Sequence, residues 1–182
     1  MKRLICLFIC LSCWLRPAEA GPLLPLSVQD LTKAADVVLQ GRVVSKKISR
    51  DEDGRVFTSI KLQVQDVWKG DVDGDTFEVV HGGGILGLRK VEVAYQVQFD
   101  LGDEAVVFCR INSMGQGVTI GMIQGKFEVL KSEDDSKRYV RNVFHGGAPP
   151  DSKSLQTRGV RMPHQLPLPI ESLKAQVQGG VK

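Results

Sequence analysis

Between Val56 and Val64 the apolar residues recur at every second position. Val56, Thr58, Ile60, Leu62 and Val64 fall on one side, and Arg55, Phe57, Ser59, Lys61, Gln63 and Gln65 on the other. A period of two belongs to an extended strand with one face on a core; a helix would scatter these residues around its circumference. After Val64 the apolar phase slips by one residue, to Val67, which predicts a bulge near Gln65-Asp66. Phe57 breaks the pattern as an aromatic on the polar side.

Further segments of the same kind flank this one. Asp36 to Ser45 reads as a strand interrupted by Gly41, and a glycine inside a strand marks a bulge or a bend. Asp51-Glu52-Asp53-Gly54 is a hairpin turn, and Lys69 to Asp75 is a second turn. Thr76 to His81, Glu104 to Ile111, Val118 to Ile123, Lys126 to Leu130 and Arg138 to Val143 read as strands, with Gln124-Gly125 splitting two of them. Gly82-Gly83-Gly84 reads as a flexible loop, and Val91, Val93, Tyr95, Val97 and Phe99 alternate again behind it. Ser27 to Ala34 predicts a short helix, with Ser27 as N-cap and Asp30 closing a capping box. Many short strands at turn-rich spacing predict a mostly β fold, and the bent first strand favours a small antiparallel barrel of five or six strands. From Phe144 a Gly/Pro-rich, polar tail begins, and it ends in a short helix that starts near Pro169 and carries Ile170, Leu173 and Val177 on one face.

The start of the chain speaks to its compartment. Lys2 and Arg3 precede an apolar run from Leu4 to Leu15, and Ala18-Glu19-Ala20 follows. This is the charge, core and small-x-small pattern of a cleaved signal peptide, and the run is shorter than the roughly 20 residues a spanning helix needs. The expected organisation is a signal peptide over 1–20, a barrel over 21–143 and a tail over 144–182. The protein is expected to be secreted or periplasmic, with a lipid anchor at Cys13 as the second reading. Cys6, Cys10 and Cys13 leave with the signal, so Cys109 is alone and no internal disulfide is expected. A disulfide-free exported domain hints at a bacterial source. Cys109 lies in the apolar run Ala105 to Cys109 and reads as a buried hydrophobe.

Charge excludes one class of partner. The whole chain carries a formal charge of +3, and loss of Lys2, Arg3, Arg16 and Glu19 brings it close to neutral. No basic field steers nucleic acid.

Motifs of catalysis are weak. Gly82-x-Gly84-x-x-Gly87 matches the dinucleotide fingerprint by letter, but the segment behind it alternates like a strand, so no helix N-terminus is expected for a pyrophosphate. Asp71-x-Asp73-Gly74-Asp75 lacks the glycine and glutamate positions of a calcium loop and reads as an acidic turn, as does Asp51-Glu52-Asp53. His81, His145 and His164 lack zinc-ligand spacing, and His81 alone is placed within the barrel. No Gly-x-Ser-x-Gly occurs. Neither cofactor nor metal is expected. The candidate binding residues are Phe57, His81, Gly82, Gly83, Gly84 and Leu86, and a binding module is expected to expose an apolar or glycine-loop surface at Phe57 or over residues 82–88. Trp68, at a strand end, reads as core or rim packing.

The run Ala35-Asp36-Val37-Val38-Leu39-Gln40-Gly41-Arg42-Val43-Val44 and the long strand ending Val67-Trp68-Lys69-Gly70 form a recognisable pair, followed by Gly102 to Phe108 and Gln124-Gly125-Lys126-Phe127. These resemble a family of uncharacterised bacterial secreted proteins. More faintly, they resemble the netrin-like OB barrel of tissue inhibitors of metalloproteinases. The resemblance covers roughly residues 27–131 and implies an OB-like barrel. It departs at the start, because those inhibitors chelate zinc through an N-terminal cysteine and the mature chain here would begin Gly21-Pro22. That mode of inhibition is closed to this protein. An OB-like barrel still offers a groove for a peptide, a glycan or another protein.

The expected function is an exported, non-catalytic, monomeric binding module whose ligand is an extracellular protein or peptide. A hydrolase or metal-dependent enzyme with a site near His81 is one alternative. A structural envelope protein tethered by its tail is another.

Overall fold

A computed structural model describes residues 23–132, 137–146 and 166–180. The expected signal peptide, the Cys13 anchor, His164 and most of the Gly/Pro-rich tail lie outside the described residues. Among the described residues, no helix is long and apolar enough to cross a membrane.

Helix α1 spans Val28–Ala34, and its capping box is complete: Ser27 Oγ accepts from the Asp30 amide while the Asp30 carboxylate accepts from the Ser27 amide. Strand β1 (Val37–Arg50) pairs antiparallel with β2 (Val56–Lys69), and both outrun the segments read from sequence. On β2, Val56, Thr58, Ile60 and Leu62 are buried, as the alternation requires. The register shifts where Gln40 faces Asp66 and Gly41 faces Val64, leaving Gln65 as the extra residue of a bulge. Gly41 sits against it, where a Cβ would lie 2.9 Å from the Gln63 carbonyl oxygen.

Strand β3 (Thr76–Gly82) pairs with β2. The next segment is not the loop expected from the glycines. β4 (Gly84–Leu86) and β5 (Arg89–Val91) form a small hairpin about Gly87-Leu88. Behind it the alternation of Val91 to Phe99 does not make a strand. Residues 92–100 run outside any sheet, with Val97 and Phe99 buried and Val93 and Tyr95 exposed. Strand β6 (Glu104–Ile111) returns against β1, and β7 (Gly117–Thr119) pairs with the end of β6. The strand expected through Ile123 stops early, because the chain turns at Ile120-Gly121 into a 3-10 turn over Met122–Gly125. Strand β8 (Lys126–Lys131) then pairs with the start of β6, so β7 and β8 share one flank of β6. Strand β9 (Arg138–Arg141) extends the sheet from β8, and β10 (Leu168–Pro169) leads into helix α2 (Ile170–Gly179).

The ring runs β1-β2-β3-β7-β6 and back to β1. It is a partly closed five-stranded barrel of OB-like type. All of its pairings are antiparallel except β3 with β7, which is parallel and consists of one residue pair, Val79 with Gly117.

Two apolar clusters hold it. Inside the ring lie Val37, Leu39, Val43, Ile60, Leu62, Phe77, Val79, Val97, Phe99, Ala105, Val107 and Cys109. Outside, between the sheet and both helices, lie Val28, Leu31, Val38, Trp68, Val106, Phe108, Phe127, Val140, Ile170, Leu173 and Val177. The wall made by β1 and β6 is covered on both faces, which is why its sequence is continuously apolar rather than alternating. Trp68 is core packing, and its Nε1 donates to the Asp66 carboxylate at 3.0 Å. The tail helix docks on the barrel through the face foreseen for it. Lys69 Nζ caps the other helix, donating to the carbonyls of Thr32 at 2.7 Å and Ala35 at 2.6 Å.

Candidate functional site

The sequence-selected residues gather at one end of the barrel, where the β1–β2 hairpin, the end of β3 and the β4–β5 hairpin meet. Phe57 pairs with Ser49 on β1 and Gly82 on β3, and it is half-buried. It lies on the face of β2 opposite the core residues Val56, Thr58 and Ile60, as its phase requires.

The three glycines differ from one another. Gly82 is exposed and ends β3. Gly83 is buried; its N–H donates to the Val56 carbonyl at 2.8 Å, and its own carbonyl accepts from Thr58 Oγ1 at 2.8 Å. A Cβ there would sit 2.6 Å from the Val91 carbonyl oxygen. At Gly84 a Cβ would meet Thr58 Oγ1 at 2.7 Å and Ile48 Cγ2 at 3.0 Å. Both adopt positive φ, +81° and +142°. The glycines therefore let the β4–β5 hairpin lie flat on β1 and β2, rather than supplying a mobile loop.

The hairpin presents large apolar side chains to solvent. Leu88 at its turn is fully exposed and Ile85 is 59 % exposed, while Leu86 is half-buried. Val93 and Tyr95 follow in the strap of residues 92–96, exposed at 47 % and 42 %. Tyr95 is left-handed with φ +54°, and so is Met122 on the 3-10 turn, with φ +59°. The two are neighbours, because the amide of Ile123 donates to the Tyr95 carbonyl at 3.2 Å. For residues with a Cβ this conformation costs about 1–2 kcal/mol each, and such outliers concentrate at functional surfaces.

His81 is half-buried rather than an exposed strand-end residue. Its Nδ1 meets the side-chain amide of Gln96 and lies 3.1 Å from the Gly82 carbonyl oxygen. Its Nε2 is shielded from solvent and has no partner. Burial holds the ring's pKa below the ordinary histidine value; the Gly82 carbonyl works against this and the Lys46 ammonium reinforces it. Among the described residues no carboxylate hydrogen-bonds to the ring. Among the described residues, no three His, Cys, Asp or Glu side chains gather as metal ligands.

Below the strap, two lysines close the barrel. Lys46 Nζ donates to the Phe99 carbonyl at 2.7 Å. Lys126, almost wholly buried, donates to the Gln98 carbonyl at 2.6 Å and Asp103 at 3.1 Å, and lies 4.7 Å from the centre of the Phe99 ring. They fix residues 98–99 while leaving 92–96 more loosely held.

Sequence reasoning found Phe57, His81 and the glycines. The exposed tip at Ile85 and Leu88 falls within the 82–88 stretch expected from sequence, although those two residues are not singled out there. Sequence reasoning missed His145, which belongs to the barrel: it stacks on Phe127 and its Nε2 lies 2.7 Å from the Leu26 carbonyl oxygen. Cys109 faces the closed interior, where burial pushes its thiol pKa up and leaves it inert. No protein-family model and no curated protein matches this chain.

Proposed function

We propose that this protein is an exported, non-catalytic binding module that docks an extracellular protein or peptide on the end of its OB-like barrel. The observation that carries the reading is the placement of Ile85, Leu88, Val93 and Tyr95. Four large apolar side chains stand in solvent on one end of the domain, Ile85 and Leu88 on a hairpin seated against the sheet by Gly83 and Gly84, and Val93 and Tyr95 on the strap that follows it. A folded domain gains nothing from exposing such a tip, and contiguous exposed apolar surface marks contact sites. A rigid seat also lowers the ordering cost of binding. Phe57 is half-buried on the other face of β2 from Thr58, against which the hairpin sits, so Phe57→Ser probes a separate contact.

The test is capture from the protein's own extracellular medium by immobilised protein. Wild type is compared with Phe57→Ser and with the double substitution Ile85→Ser/Leu88→Ser. A specific partner retained by wild type and lost by the double substitution supports the reading. Equal capture by all three removes this surface from consideration. Deleting Gly82–Gly84 is unsuitable, because Gly83 is part of the packed interior.

A further inference from the structure

The barrel has one weak seam. β3 and β7 share a single backbone-paired position, Val79 with Gly117, beside a side-chain hydrogen bond from Gln116 to Glu78 at 3.0 Å, and towards Gly82 no strand flanks β3 on that side among the described residues. The strap of residues 92–96 fills the gap. It is held on the β3 side by the Gln96 side chain on His81, and on the far side by the Ile123 amide on the Tyr95 carbonyl. Tyr95 and Met122, both in left-handed conformations, flank that second contact. The strap therefore combines few anchors with unfavourable backbone, whereas Val97 and Phe99 just after it are locked in the core.

The chemistry of the first anchor is asymmetric. With the Gln96 NH2 directed at it, Nδ1 of a neutral ring accepts and Nε2 carries the hydrogen. With the amide turned over, Nδ1 donates and Nε2 is a bare acceptor. Either way one nitrogen is satisfied and the other faces no partner. Protonation makes both nitrogens donors: Nδ1–H keeps the Gly82 carbonyl as an acceptor at 3.1 Å, but the shielded Nε2–H has none, so hydrating the charged ring requires it to turn away from the strap. The Gly82 carbonyl relieves Nδ1 alone, and the other groups around the ring offer Nε2 nothing. Lys46 on β1 is itself cationic, Thr58 opposite on β2 is neutral, and Gln96 on the strap is neutral. Two carboxylates of this region are engaged by lysines rather than by the ring: Asp100 lies 3.8 Å from Lys46, and Glu92 on the strap pairs with Lys90 at 2.5 Å.

We propose that His81 and Gln96 form an acid-released latch, which holds the strap across the seam at neutral pH and frees it when His81 is protonated. The latch stands on the seam geometry alone. Its consequence rests on the docking reading: Val93 and Tyr95 ride on the strap, so acid dismantles part of the binding surface and releases the partner. Depressed basicity of the ring in the closed state is the expected companion of this arrangement.

Amide hydrogen exchange on the protein alone, read residue by residue and corrected for intrinsic rates, tests the latch without any partner. The Gln96 and Ile123 amides report the strap, and the Ala35 amide, bonded to the Leu31 carbonyl in α1, reports the whole fold. Between pH 7.5 and pH 5 (roughly one pH unit or more on either side of an ordinary histidine pKa) protection at Gln96 and Ile123 is expected to fall at least about fivefold, and at both pH values to lie well below that at Ala35. In His81→Gln the pH dependence is expected to vanish. Gln96→Ala, which deletes the other half of the latch, is expected to leave Ile123 weakly protected at both pH values. Unchanged protection in wild type overturns the proposal. So does protection at Gln96 and Ile123 equal to that at Ala35, which would mean that the strap opens only with the whole fold, or a pH dependence that survives in either variant.

Discussion

Lys174 of α2 lies 2.7 Å from the Asp66 carboxylate of β2, across 108 residues of sequence. The same carboxylate oxygen accepts from Trp68 Nε1, so one bulge residue ties the tail helix and the outer core to the sheet. The hydrogen bond to Asp66 raises the Lys174 pKa, but the group is open to solvent, and an exposed pair contributes little. The weight of the docking falls on Leu173, which is fully buried beside Ile170 and Val177. Leu173→Ala is expected to cost about 2–5 kcal/mol in urea unfolding. Lys174→Ala is expected to move the urea midpoint far less than Leu173→Ala. Equal effects, or a silent Leu173→Ala, would show that the helix is not part of the folding unit.

The seat of the hairpin makes a second expectation. Gly84 and Gly87 both have positive φ, but a Cβ at Gly87 meets nothing within 4 Å. Gly87→Ala is therefore expected to cost only the conformational term, about 1–2 kcal/mol. Gly84→Ala adds a collision with Thr58 and Ile48, lowers the melting temperature further and loosens the β4 and β5 amides in hydrogen exchange. Two variants with the same melting temperature would mean the hairpin is not pressed against β1 and β2.

Cys109 offers a chemical probe of the closed interior. Its side chain is fully buried, and its raised pKa keeps it a thiol at neutral pH. A thiol reagent in excess at pH 8 is expected to leave the native protein unlabelled for hours and to label it fully in urea. Rapid stoichiometric labelling of the folded protein would contradict a packed barrel.

Much of the frame was readable from local pattern. Ser27 and Asp30 announce the first helix, the alternation from Val56 announces β2, and the phase slip after Val64 marks the bulge at Gln65. The errors share one cause. Period two signals an extended chain, not a paired one, so Val91 to Phe99 looked like a strand although Val97 and Phe99 enter the core outside any sheet. The glycine triplet looked free because close approach of backbone to Thr58 and Val91 is a tertiary fact. The pairing of His81 with Gln96 and the docking of Leu173 depend on contacts far apart in the chain, which no local period encodes.

Acid should weaken the fold in two separate windows. The folded-state pKa of His81 is lowered, so the unfolded ring takes up a proton first, at about 6.5. Its contribution is fully present above that value and is lost as pH falls from there towards the folded pKa. Asp51 and Asp30 also have lowered values, held by hydrogen bonds from Arg55 and Ser27 respectively, and their contributions fade only near and below 3.8. Urea midpoints are expected to drop between pH 7 and pH 5 in wild type and to stay level in His81→Gln over the same range. Parallel curves for the two proteins would assign the drop to another group.

The claim that a partner docks at the hairpin end is tested most directly by placing a photo-crosslinking amino acid at Leu88, and separately at Met114 on the turn beyond β6. Both positions are exposed, and they lie at opposite ends of the barrel. The account expects a discrete adduct with one extracellular protein or peptide from position 88 and none from position 114. An adduct from 114 alone, or the same adduct with equal yield from both, would contradict it.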